Sequence, residues 1–115
     1  MANFMYLFRD TAGNRGQPSP EEMQGLTKAW MIWMDSLKQG GHLVKTGERL
    51  DVRGTVVRGK AKAVTDGPFA EAKDIVLGYL ILQANDLAQA VDLAKGCPNL
   101  EIGGAVEVRP IVSSG

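Results

Sequence analysis

The stretch Thr65-Asp66-Gly67-Pro68-Phe69-Ala70-Glu71-Ala72-Lys73-Asp74 gathers the side chains best placed to do chemistry. Gly67 and Pro68 stiffen the backbone behind Asp66. Its carboxylate can then be held at a cleft, as a general base or as an acceptor for a substrate hydrogen bond. The same tripeptide is also a favourable Asx turn, in which the carboxylate takes a hydrogen bond from the backbone two residues on. Glu71 and Lys73 are two apart, so in an extended segment they share a face. Facing a cleft, they would bind a polar substrate or share a proton; facing water, they would contribute little. Phe69 suits a plug that anchors the loop on the core.

Four further positions carry candidate chemistry. His42 is the lone histidine and follows Gly40 and Gly41. A catalytic role would need a carboxylate partner, whereas a helix C-terminus would stabilise its cation without one. Trp30 and Trp33 are one helical step apart, an aromatic wall for a planar ligand or simply core. Arg109 stands two residues from Glu107 and suits a carboxylate ligand, a subunit contact or a surface pair. Asp66 and His42 are thus the catalytic candidates, and Glu71, Lys73, Trp30, Trp33 and Arg109 the substrate-binding ones. One His and one Cys cannot assemble a usual structural zinc site, so no metal is expected. Cys97 has only Lys95 nearby to activate a thiolate. A phosphate loop, a dinucleotide glycine fingerprint and a serine elbow are all absent, and no cofactor is expected.

These side chains must be positioned by a chain of 115 residues, read as one domain over 1–115. The 13 basic and 13 acidic side chains cancel, which disfavours nucleic acid and anionic membrane as partners. The amino terminus lacks the pattern of a signal peptide, and no apolar run approaches the ~20 residues of a membrane span. A cytoplasmic, soluble setting is expected.

Residues 4–8 (FMYLF) read as a strand covered on both faces, followed by a loop from Arg9 to Gln17. Ser19 caps a helix that opens with Pro20, Glu21 and Glu22 and stops at Gly40 and Gly41. Its apolar face is Met23, Leu26, Trp30, Trp33, Met34 and Leu37; Met31 and Ile32 lie off that face and need a second cover. A short strand is expected near 43–46. A hairpin pairs Thr55–Val57 with Ala63–Thr65 across Arg58-Gly59-Lys60. Residues 75–84 (IVLGYLILQA) form a second apolar strand. Asn85 or Asp86 caps a helix reaching Lys95, with Leu87, Ala90, Val91 and Ala94 buried. The chain closes with a strand in which Ala105, Glu107 and Arg109 alternate with Val106 and Val108.

That order predicts an α+β fold, a ferredoxin-like βαββαβ sandwich with an extra β-hairpin. Its helices cover one face of the sheet. The other would be a large apolar patch of a kind monomers rarely expose, so a homodimer is expected.

The run VTDGPFAEAKDIVLGYLIL, with GCPNL, GGAVEVRPI, SPEEM and GGHLVKTGERL, resembles the DGPF branch of the YCII-related domain family over essentially the whole chain. The resemblance implies a dimeric α+β barrel built on the ferredoxin-like unit. Related proteins include enzymes proposed to use a His–Asp pair whose histidine sits on the first helix; here that helix, 20–39, contains none. Members of the branch are often encoded near extracytoplasmic-function sigma factors. Three functions follow: a small-molecule binding or catalytic cleft near the DGPF loop, a regulatory module acting with such a sigma factor, or a structural dimer without ligand.

Overall fold

The computed structural model describes residues 1–11, 19–67 and 74–113, with backbone only for Asp66 and Gly67. Strand β1 (Ala2–Asp10) leads to helix α1 (Pro20–Gln39) and the short strand β2 (Leu43–Lys45). A hairpin follows, β3 (Gly54–Arg58) and β4 (Ala63–Gly67), then β5 (Ile75–Ala84), helix α2 (Leu87–Ala94), a 3-10 turn (Pro98–Ile102) and β6 (Ala105–Pro110). The main sheet is antiparallel in the order β2-β5-β1-β6, while among the described residues β3 and β4 pair only with each other. Set the hairpin aside and this is the ferredoxin-like α+β arrangement.

Local signals set the helix ends. The Ser19 hydroxyl accepts from the Glu22 N–H at 3.1 Å, satisfying one of the first-turn donors that a helix leaves free. At the other end the His42 N–H reaches the Leu37 carbonyl at 2.8 Å, a closure that Gly41 permits by adopting φ 77°. Asp86 caps α2 by accepting from the Gln89 N–H at 2.8 Å.

The core lies between the helices and one face of the sheet. Phe4, Tyr6 and Phe8 of β1 and Leu80, Leu82 and Ala84 of β5 point to it in strict alternation. Trp33 and Leu37 of α1, Ala90 and Ala94 of α2, and Cys97 close it. Tyr6 organises this layer. Its ring stacks on Trp33 at 5.8 Å and 17°, and its hydroxyl donates to the Ala90 carbonyl. Burial pushes the phenol pKa up, with the Cys97 thiol adding to the effect.

Four expectations are corrected. Arg9 and Asp10 continue β1 rather than beginning a loop, because β5 and β6 both extend far enough to pair with Arg9. Asp66 and Gly67 lie in β4, opposite Thr55 and Gly54, so the strand runs past the expected turn. On α2 it is Leu93, not Leu87 or Val91, that packs against the core beside the buried alanines. The helix meets the sheet through small side chains because the Tyr6 phenol fills the space beneath Ala90. Leu87 and Val91 are left 46% and 40% exposed. Met23, at 46%, likewise falls outside the buried face of α1.

Candidate functional site

The opposite face of the main sheet is covered by neither helix. The register places Ile81, Met5 and Arg109 side by side across β5, β1 and β6, with Lys45 beyond Ile81. One step along lie Tyr79, Leu7 and Glu107, and a further step brings Val76, Arg9 and Ala105 into line. Met5, Leu7, Tyr79 and Ile81 form a half-buried apolar centre, with charged groups at its edges.

Arg9 dominates one edge. Its Nη1 donates to Glu107 Oε1 at 2.6 Å and its Nη2 to Asp74 Oδ1 at 2.7 Å. The guanidinium thereby ties β1 to β6 and to the residue just before β5. The hydrogen bonds it donates to Glu107 and then to Asp74 raise its already high pKa, so it is a fixed positive charge and not a general acid. Arg109 extends the cluster, with Nε 3.8 Å from Glu107 Oε2. Two guanidinium groups thus share the Glu107 carboxylate. Arg109 is the less committed of the two: its side chain is 66% exposed, against 35% for Arg9.

A bulge and a buried amide hold Arg9 in place. The register shifts between Phe8 and Arg9, where β5 carries an extra residue, Leu77, between the partners Gly78 and Val76. Bulges of this kind re-aim side chains at sheet ends. Behind Arg9, the wholly buried Asn99 donates from Nδ2 to the Arg9 carbonyl at 3.1 Å and to the Ala105 carbonyl at 3.0 Å. The 3-10 turn is thereby pinned to β1 and β6 together.

The sequence candidates divide between distinct places. Trp30 and Trp33 pack on the helix-covered face: Trp33 is 7% exposed and donates from Nε1 to the Leu93 carbonyl at 3.2 Å, while Trp30 meets Phe8 edge-on at 4.9 Å. The sheet separates them from Arg109. His42 sits at the end of β5 remote from Asp74, its Nδ1 2.9 Å from the Gln83 carbonyl. Seven strand steps, roughly 23 Å, separate Gln83 from Val76. Glu71 and Lys73, with Pro68 and Phe69, lie outside the described residues, as does the side chain of Asp66. Asp74, the residue before β5, is the one bonded to Arg9. Sequence reasoning passed over Arg9, Asp74, Glu107 and Asn99 as a site. Only the alternation of Glu107 and Arg109 on the last strand hinted at it.

Among the described residues, no three His, Cys, Asp or Glu side chains gather as metal ligands would. Cys97 is 1% exposed on the helix side. The open face therefore offers fixed charges around an apolar floor, suited to binding and electrostatic stabilisation. No helix among the described residues is long and apolar enough to cross a membrane.

A comparison with known families agrees with the sequence resemblance at the level of the family. The sequence profile described as the YCII-related domain matches residues 2–114. An uncharacterised protein of Rhizobium meliloti (strain 1021) is 41% identical over 49 residues, 42% of this chain and 40% of that protein. The match thus spans about two-fifths of the relative's length. Among solved structures, 5-chloro-2-hydroxyhydroquinone dehydrochlorinase from Burkholderia phenoliruptrix AC1100, in complex with 2,5-dihydroxybenzoquinone, superposes with a TM-score of 0.48 at 15% identity, covering 100% of this chain and 96% of that one.

Proposed function

This chain belongs to the YCII-related domain family, and on that premise we propose that it is one protomer of a homodimer with a small-molecule cleft between its sheets. Within the family, the Asp66-Gly67-Pro68-Phe69 segment supports membership of the DGPF branch. One observation carries the reading. The uncovered sheet face combines an apolar centre with a charged edge, and Asp74, which follows the DGPF motif in sequence, meets Arg9 at that edge. A second sheet face packed on the first would exclude water from Met5, Leu7, Tyr79 and Ile81. The ion cluster would remain at the rim, where a polar ligand can reach it.

The β3–β4 hairpin supports the same reading. Among the described residues it pairs with no other strand, and Val57 and Val64, directly opposite one another, are 65% and 64% exposed. A lone two-stranded hairpin is at best marginally stable in water, so contact with a second protomer would secure it.

In the cleft, Arg9 would supply a fixed field and Arg109 the movable fork for an anionic ligand such as a small carboxylate or phenolate. A thermal-shift screen of small organic acids tests this on the wild type and on Arg109→Gln. At least one acid should stabilise the wild type, and the variant should lose most of that stabilisation. A panel with no effect on the wild type, or with equal effects on both proteins, speaks against the cleft.

A further inference from the structure

Helix α1 presents a second surface, on the side away from the sheet. Met31 and Ile32 are 67% and 62% exposed there, among the most exposed large apolar side chains of the chain. They sit in a shallow groove of about 550 Å³ whose lining includes Gln24, Lys28, Met31, Ile32 and Asp35. With Gln39 these residues form one stripe of the helix, at spacings of three and four.

The order along that stripe is Gln24, Lys28, Met31, Ile32, Asp35, Gln39. Turned end for end about the point between Met31 and Ile32, it becomes its own complement. Lys28 then faces Asp35, Met31 faces Ile32, and Gln24 faces Gln39. A twofold axis through that point pairs two antiparallel α1 helices with an apolar centre. An opposite-charge pair lies on either side of it, and an amide pair at each end. Self-complementarity of this kind is what an isologous interface requires. Among the described residues Lys28 makes no ion pair, and Asp35 is engaged only by the Gln39 amide at 2.8 Å. A neighbouring helix would find both charges available.

We propose that α1 is an interface between copies of this chain, formed by antiparallel α1 helices about Met31 and Ile32. The surface is distinct from the open sheet face. If both interfaces form, sheet-paired dimers join through α1 into tetramers. The stripe from Gln24 to Gln39 is only about 22 Å long at 1.5 Å per residue, so the contact is small and concentration-dependent.

Sedimentation equilibrium of the full chain between 1 and 200 µM decides the matter. The wild type should pass from dimer to tetramer. Lys28→Glu and Asp35→Lys should each weaken that step by about tenfold or more, since each sets like charges together twice. The double variant Lys28→Glu/Asp35→Lys, which restores opposite charges across the axis, should regain it. A wild type that remains a dimer throughout and is unaffected by Lys28→Glu, or single variants that associate as the wild type does, overturns the proposal. So does a double variant no better than the singles. Leu7→Lys separates this outcome from the fate of the sheet-paired dimer. It should leave an α1-paired dimer that Lys28→Glu then dissolves. A wild-type dimer sensitive to Leu7→Lys alone would support the sheet pairing and refute the α1 contact. One sensitive to Lys28→Glu alone would do the reverse.

Discussion

Removing the amide of Asn99 tests how the charged edge is built. Asn99 is wholly buried, and its Nδ2 donates to the carbonyls of Arg9 and Ala105, on two different strands. Asn99→Ala deletes both bonds and leaves both carbonyls without that donor in a dry position. A hydrogen bond contributes about 0.5–1.5 kcal/mol net, and an abandoned buried polar group costs about 1–3 kcal/mol. The sheet ladder can still serve part of each carbonyl, so the expected loss is about 2–4 kcal/mol. Against a typical ~5–15 kcal/mol, that is a large fraction of the total stability. At about 4 °C per kcal/mol for a domain of this size, the melting temperature should fall by roughly 8–16 °C. Asn99→Asp should be worse at neutral pH, because it turns a carboxylate toward those same carbonyls. Urea unfolding of the three proteins at one fixed concentration measures the differences, the fixed concentration being needed because association adds to apparent stability. A loss below ~0.5 kcal/mol for Asn99→Ala, or an aspartate no worse than the alanine, would refute the reasoning.

Other expectations follow from single positions. Gly47 has φ 69°, and a Cβ there would come 1.9 Å from the Tyr79 carbonyl oxygen; Gly47→Ala should cost at least ~3 kcal/mol. Gly25, in α1 with open space around it, is the control: Gly25→Ala should add about 0.5–1 kcal/mol, and thermal melts of the two variants should move in opposite directions. Tyr6 provides a pH dependence. Its phenol pKa is raised in the fold, so above about pH 10 the unfolded chain loses this proton first and stability falls, by up to ~1.4 kcal/mol per pH unit. Tyr6→Phe should show a shallower alkaline limb than the wild type in pH-dependent melts, while losing about 1 kcal/mol at neutral pH with its hydrogen bond to Ala90.

Much of the fold was legible because its signals are local. Ser19, Pro20 and Gly41 mark α1 by hydrogen-bonding and dihedral chemistry that needs no distant partner. The apolar runs of β1 and β5 declare central strands. The ends of these elements were harder. Arg9 and Asp10 read as loop because charged residues followed by Thr11 and Ala12 look like a strand's end. They are strand because β5 and β6 pair with Arg9 there. Trp30 and Trp33 read as wall or core, and only the sheet register shows which face they meet. The site was the least legible part. Arg9, Asp74 and Glu107 are separated by 65 and 98 positions in the chain, and nothing local to any of them announces the others. Asn99 had a fainter signal. Gly103 and Gly104 follow it, and a Cβ on Gly104 would come 2.5 Å from Asn99 Nδ2, so the double glycine records a close approach.

The most direct test of the central claim, that the uncovered sheet face joins two protomers, is the mass of two variants by sedimentation. Lys28→Glu disables the α1 contact, and the second variant adds Leu7→Lys at the middle of the open face. Circular dichroism should show both folded. The expected masses are a dimer for Lys28→Glu and a monomer for Lys28→Glu/Leu7→Lys. Lys28→Glu already monomeric at 50 µM, or a dimer that survives a lysine at position 7, would contradict the account.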